Sequence, residues 1–263
     1  MMPSDRVKKL KKSELKEFLD QRSDIYNRLS FIELDPVSIP HRFTSREDIE
    51  IAGFLAATIA WGNRVSILRS ADRMLSLMGN SPYDFVINHR DSDLKGINGC
   101  IHRTFFAEDF IYFIEALKHI YTEMGGMEPV FARYQTSDSL QPAIHEFRRL
   151  FFELSHNART ERHVSDPFKG SAAKKINMFL RWMVRRDDRG VDFGLWASIS
   201  PSILSCPLDV HSGNVARKLG LLNRKQSDAK AVSELDGALR AMDPVDPVKY
   251  DFALFGLGVF EGY

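Results

Sequence analysis

Two short stretches carry residues able to do chemistry together. The first is Pro207-Leu208-Asp209-Val210-His211, running on into Ser212-Gly213-Asn214-Val215-Ala216-Arg217-Lys218-Leu219-Gly220-Leu221. Its aspartate stands at a helix start, where a carboxylate accepts from the first free backbone N–H groups and the helix dipole keeps it ionised. An anionic carboxylate so placed can also stabilise an oxocarbenium-like sugar as a glycosidic bond breaks. His211, on the first turn, can contact a phosphate or satisfy a local polar group, and the N–H groups of that turn can bind phosphate as well. The second stretch holds the lysine pair Lys174-Lys175. A neutral lysine amine can attack a sugar C1′ and form a Schiff base, and neighbouring cations favour the neutral form by lowering its pKa.

The lysines must be positioned by a helix over 171–186. On a wheel of 3.6 residues per turn, Ala172, Ile176, Phe179, Leu180 and Met183 share one side. Lys174, Arg181 and Arg185 fall opposite, and Lys175 lies between the faces near Trp182. Burying the apolar stripe aims Lys174 and the two arginines outward. Two readings of that face stay open: a solvated basic surface, or a phosphate-contacting surface with one lysine as nucleophile. Trp182 flanks it and is the tryptophan best placed to stack on a base; Trp61 and Trp196 read as core.

Other elements follow from periodicity and breakers. Helices are expected over 13–21 and 24–32, the first preceded by the basic run Lys8-Lys9-Leu10-Lys11-Lys12. Pro36 and Pro40 force an extended connection. Thr44 and Glu47 read as a capping box opening an apolar helix that ends near Trp61 and Gly62-Asn63. Further helices are expected over 65–78, 108–124, 129–134, 143–154, 191–198, 227–242 and 247–257, with a loop over 155–169. No strand alternation stands out, so the fold class is all-α.

Lys+Arg (36) and Asp+Glu (35) nearly cancel. The distribution is uneven: nine bases face four acids over 159–190, while six acids face two bases over 231–263. A neutral chain can therefore present a local phosphate-binding surface. Cys100 and Cys206 are the two cysteines, and no Cys-x-x-Cys occurs. A four-cysteine zinc ribbon or iron–sulfur cluster is excluded, and a reducing cytoplasm is the expected compartment. No signal-like segment opens the chain, and the longest apolar run, 51–61, is too short to span a bilayer. Glu153-Leu154-Ser155-His156 matches the Glu-x-x-His of di-iron bundles but has no second copy, so no metal and no cofactor are expected.

Pro207-Leu208-Asp209-Val210-His211 resembles the segment that opens the aspartate helix in the helix-hairpin-helix DNA glycosylase superfamily, which includes the endonuclease III and 8-oxoguanine glycosylase types. Lys169-Gly170-Ser171-Ala172-Ala173-Lys174 is similar to its hairpin and lysine, retaining only Gly170 of the usual Gly-Val-Gly. Ile51-Ala52-Gly53-Phe54-Leu55-Ala56-Ala57-Thr58-Ile59-Ala60-Trp61-Gly62-Asn63-Arg64 looks like the helix that ends beside the flipped base. The likeness spans about 48–258 and is nearest to an uncharacterised bacterial branch, of which 177–185 and 246–253 are typical. It implies an all-α, two-lobed helical bundle with a helix-hairpin-helix-like element and an interlobe cleft. One lobe would cover 44–186, and the other 1–43 with 187–263.

The resemblance further implies a DNA repair N-glycosylase with AP lyase activity, acting on damaged duplex DNA without an iron–sulfur cluster. Lys174 would be the nucleophile and Asp209 its assistant. Gly170, Arg181, Arg185, His211 and Arg217 would contact DNA, and Asn63 and Arg64 would fill the hole left by the flipped base. Two alternatives stand beside it: a non-catalytic binder of DNA or RNA structure on the same scaffold, and a monofunctional glycosylase using Asp209 alone.

Overall fold

A computed structural model describes residues 11–263, and among these the chain is all-α apart from one two-stranded hairpin. In chain order the helices are α1 (Lys12–Tyr26), α2 (Arg46–Thr58), α3 (Arg64–Leu77), α4 (Pro82–Asn88), α5 (Asp91–Lys95), α6 (Ala107–Glu123), α7 (Met127–Tyr134), α8 (Gln141–Phe151), α9 (Lys174–Val184), α10 (Val210–Lys218), α11 (Ala229–Arg240) and α12 (Tyr250–Phe260). Strands β1 (Cys100–His102) and β2 (Phe105–Phe106) pair antiparallel between α5 and α6. They are too short to show an alternating pattern. Part of the basic run ahead of α1 lies outside the described residues.

Several boundaries differ from the sequence reading. The two N-terminal helices are one, followed by a 3-10 turn over Leu29–Leu34. Ser45, not Thr44, caps α2, its Oγ accepting from the Asp48 N–H at 3.3 Å. Segment 191–198 is not helical. Its backbone is used otherwise: the N–H groups of Phe193 and Trp196 donate to the last carbonyls of α9, Trp182 O at 2.8 Å and Met183 O at 2.9 Å. Orphan acceptors at a helix end thereby outcompete local helix formation.

The chain forms two units. One takes the chain up to Phe31 together with Thr136–Gln141 and Asp166–Tyr263; the other is Ile32–Gln135 with Pro142–Ser165. The division therefore falls ahead of the lysine helix, not after it at 186, and α9 belongs with α10 and α12. The Ile32–Gln135 unit is built on aromatic packing. Phe54 stacks on Phe113 at 5.7 Å and meets Phe147 and Phe151 edge-on, and Phe147 stacks on Phe131 at 4.6 Å. Buried Asp109 accepts from Thr160 Oγ1 at 2.8 Å and pairs with Arg159 at 3.0 Å. In the other unit Leu19, Leu208, Val215, Leu235, Leu254 and Leu257 form the core. Helix α12 lies between α1 and α10 and is apolar on nearly every side, as a helix covered all round must be.

Close approach to α12 depends on glycine. A Cβ at Gly256 would clash with the Tyr26 ring on α1, and one at Gly258 would meet His211 Cβ at 3.0 Å. Gly256→Ala is expected to lower the unfolding free energy by about 1–3 kcal/mol through overpacking. Gly237→Ala on α11, where no atom lies within 4 Å, is expected to be neutral or stabilising by up to about 1 kcal/mol. Urea denaturation of the two variants checks the opposite signs.

Candidate active site

The turn leading into the lysine helix is built from local hydrogen bonds. Asp166 Oδ1 accepts from Phe168 N at 2.9 Å and so fixes the 3-10 turn Pro167–Lys169. Gly170 then adopts a left-handed conformation (φ +87°), and its carbonyl accepts from Ala229 N at 3.1 Å, at the start of α11. Ser171 forms an isolated bridge with Asp228. Ala173 is left-handed as well (φ +47°), an unusual state for a residue with a Cβ. Ala173 N donates to Ser171 Oγ at 3.1 Å, and Asn177 Nδ2 donates back to Ala172 O at 3.1 Å. These bonds hold a hairpin-like reversal with a single glycine. Phe168 and Lys169 are exposed at its tip.

Helix α9 starts at Lys174. Both lysines are half-buried, so Lys174 does not project freely as the wheel implied. Burial first, and the charge of Lys174 second, push the Lys175 amine down to about 8.

Asp209 is the N-cap of α10, as its position in the sequence required. Its Oδ1 accepts from Ser212 N at 2.9 Å, and Asp209 N donates to Ser212 Oγ at 2.9 Å. This reciprocal pair fixes the carboxylate and leaves Oδ2 without a hydrogen bond among the described residues. The preceding segment is anchored in the core. Cys206 N donates to Asp236 Oδ1 at 2.9 Å, and Cys206 Sγ lies 3.7 Å from Asp251 Oδ1. Burial pushes the Cys206 thiol well up, with Asp251 and Asp236 adding to the effect, so it stays neutral. Gln141 Nε2 bridges Ser205 Oγ at 2.9 Å and Asn177 Oδ1 at 3.2 Å, tying the Asp209 segment to the lysine helix.

Asp251 connects the two halves. It is buried on α12, ion-paired with Arg181 Nη1, and its carboxyl is raised to about 6. Burial is the main cause. The charge of Asp209 raises it further, while Arg181 and Lys174 pull it down. The Lys174 and Asp209 charges thus both lie within electrostatic reach of one buried carboxyl.

Other expected contacts are placed differently. Arg181 and Arg185 are buried, not on a phosphate-facing surface. Arg181 Nε pairs with Asp192 at 3.2 Å. Arg185 pairs with Asp192 and Asp246, each at 3.0 Å, and with Asp187 at 2.6 Å. Burial disfavours its charge, but Asp192, Asp246 and Asp187 more than offset this and hold the guanidinium above its ordinary range. The wheel separated the faces correctly, but segment 187–192 and the start of α12 cover the basic one with aspartates. Trp182 is fully buried and so belongs to the core, not to a base-stacking surface. Arg217 turns back on its own unit, donating to Arg224 O at 2.8 Å and Ser227 Oγ at 3.2 Å. His211 is exposed beside Asp209. Asn63 and Arg64 lie in the Ile32–Gln135 unit, where exposed Asn63 caps α3 through Oδ1 and Ser66 N at 3.2 Å. His156 bonds Glu161 at 3.3 Å and Glu153 bonds His119 at 3.3 Å, so the two ends of the Glu-x-x-His spacing take different partners.

Asp192 and Asp251 were missed from sequence, and Lys175 was set behind Lys174 by the resemblance. Asp251 had a signal: among the helical residues Tyr250–Phe260 it alone is charged, and a lone carboxylate in an apolar helix needs a buried cation.

Residues 35–260 match the family described as protein of unknown function (DUF2400). The chain belongs to this family. The match takes in both units, the hairpin, the lysine pair and the Asp209 segment. No curated protein and no solved structure matches the chain. Among the described residues no helix is long and apolar enough to cross a membrane.

Two measurements probe this framework. Gly170→Ala introduces no clash, since nothing lies within 4 Å of the added Cβ, so its cost is conformational alone. A loss of about 1–2 kcal/mol in urea denaturation is expected. Asp236, held near 6 by burial, binds a proton in the folded state over a range where the unfolded chain does not. Its contribution therefore makes stability fall as pH rises from about 4 to 6, by about 2–3 kcal/mol at full effect. Asp236→Asn is expected to flatten the stability profile over that window; an unchanged slope would count against this assignment.

Proposed function

We propose that this protein is a DNA N-glycosylase with AP lyase activity, and that its nucleophile is Lys175 with Lys174 as the adjacent cation. The observation that carries the reading is the hairpin-like turn that sets a half-buried lysine pair at the start of α9, where burial and the Lys174 charge bring the Lys175 amine down to about 8. At neutral pH such an amine is uncharged on the order of a hundredfold more often than an ordinary lysine near 10.4. It stands at the start of a helix whose entry turn is hairpin-like, in the same unit as a carboxylate fixed at the start of α10. Supporting features are the exposed tip residues Phe168 and Lys169 and exposed His211 beside Asp209.

The reaction follows from these groups. A nucleotide is rotated out of the duplex, which a base-directed reaction requires. The neutral Lys175 amine attacks C1′; the C1′–N bond to the base breaks, and the base leaves with the bonding pair and takes up a proton. Positive charge developing on the sugar is stabilised by the ionised Asp209 carboxylate, whose Oδ2 is uncommitted. Loss of the amine proton and opening of the sugar ring give an imine between Lys175 and C1′. Proton loss from C2′ then expels the 3′ phosphate, and water releases the lysine. Lys174 keeps a positive charge beside the amine, which both depresses its pKa and offers a phosphate contact.

Borohydride trapping tests the scheme, because reduction of the imine leaves a stable protein–DNA amine. Duplexes carrying oxidised, alkylated, deaminated and abasic nucleotides form the panel. Wild type is expected to trap on at least one. Lys175→Gln is expected to abolish trapping and Asp209→Asn to reduce it by about 10²–10³-fold, with Lys174→Gln falling between wild type and Lys175→Gln. Trapping on no duplex, or undiminished trapping by Lys175→Gln, would sink the reading. Base release without trapping, lost only in Asp209→Asn, would mark a monofunctional enzyme. Salt-dependent binding indifferent to all three substitutions would mark a binder.

A further inference from the structure

We propose that Asp251 is the positioning residue of this site, a buried carboxylate junction that joins the lysine helix to the segment carrying Asp209. The inference rests on the reading above for its functional meaning and on geometry for its physical content. Asp251 Oδ2 takes the Arg181 guanidinium, which is locked on its other edge by Asp192 at 3.2 Å. Its Oδ1 faces the Cys206 thiol at 3.7 Å, three residues before Asp209. A single side chain on α12 thereby fixes a point two turns into α9 and a point just ahead of α10. The Lys174 cation favours the charged form of Asp251 and the Asp209 anion opposes it.

The groups facing this carboxyl come from every element around it. Arg181 and Lys174 approach from α9, Asp192 stands behind Arg181, and Cys206 and Asp209 lie on the connection into α10. The charged side chains of α1 are turned elsewhere: Asp20 pairs with Lys249 at 3.0 Å, and Arg22 and Tyr26 engage Glu261. Arg181 and Lys174 are therefore the cations that balance Asp251. By reciprocity, protonating Asp251 removes a negative neighbour from both Lys174 and Asp209 and weakens its own pairing with Arg181. Because burial brings the carboxyl to about 6, that change falls just below neutral pH. The site should lose activity on the acid side more steeply than titration of the lysine amine alone would cause.

Two arms test the proposal. In the first, ¹³C NMR follows the Asp251 carboxyl through a pH titration of the intact protein, with no substrate present. Lys174→Gln is expected to raise its midpoint and Asp209→Asn to lower it, each by about 0.3–1 pH unit. A midpoint that stays put in either variant overturns the junction. In the second arm, trapping yield on an abasic duplex is followed against pH. Wild type should fall about tenfold per pH unit below 8 and bend to a steeper slope near 6. Asp251→Asn, a permanent mimic of the protonated form, should trap less than wild type above a pH of about 6, converge with it below and show no bend, and Asp251→Glu should restore the bend. A bend that survives in Asp251→Asn overturns the proposal. If wild type traps nothing, the glycosylase reading fails while the NMR arm still decides the junction; if Asp251→Asn does not fold, that arm decides alone.

Discussion

Two guanidiniums buried side by side set the constraint on which the Asp166–Tyr263 unit depends. Arg181 and Arg185 sit one helical turn apart on α9, and neither can shed its proton to escape the cost of burial. Each must be enclosed by carboxylates. Asp192 serves both, Asp251 completes Arg181, and Asp187 and Asp246 complete Arg185. The Phe252 ring lies against both guanidiniums, with the Arg181 carbon 4.3 Å from its centroid. Removing one partner from such a set strands a buried charge, at about 3–5 kcal/mol. The chain after α9 therefore has little freedom. Segment 187–192 must fold back over the helix it has just left, and the start of α12 must dock on the same face.

This explains why 191–198 does not form the helix its composition permits. A helix there would draw Asp192 away from the arginines and leave the last carbonyls of α9 without the N–H groups of Phe193 and Trp196. Local propensity is worth fractions of a kcal/mol per residue, whereas an uncompensated buried guanidinium costs several. The same balance fixes the Asp209 segment, since Asp251 and Asp236 reach Cys206 from two helices. The precision of the Asp209 carboxylate thus comes from the core behind it as much as from its own capping bonds.

The sequence made some of this legible and hid the rest for physical reasons. Caps and breakers are local, so Asp209 at the start of α10 and the extent of α3 could be read directly. The identity of the polar face of α9 could not. A helical wheel shows that Arg181 and Arg185 share a side but not what covers it. Apart from Asp187, their partners are 7 to 70 residues away in sequence, as with Arg185–Asp192 and Arg181–Asp251. The hairpin posed the opposite difficulty. Its glycine pattern is reduced to Gly170, yet Ala173 still takes the left-handed conformation because bonds from Ser171 and Asn177 hold the turn around it.

The two adjacent lysines show how this framework separates chemically identical side chains. They differ by one position on the wheel, and sequence offers no means of ranking them beyond likeness to other chains. In the folded unit the Lys174 charge reaches the buried Asp251 carboxyl and favours its ionised form, whereas the perturbation of Lys175 comes from desolvation and from Lys174 itself. Lys175 is biased toward the free base, and that bias includes the charge on Lys174. The cation at the helix start thus acts both on a buried anion behind α9 and on the neighbouring amine, which it helps to keep neutral. If Lys175 is the nucleophile, its reactivity depends on the burial of the helix start as well as on the lysine beside it.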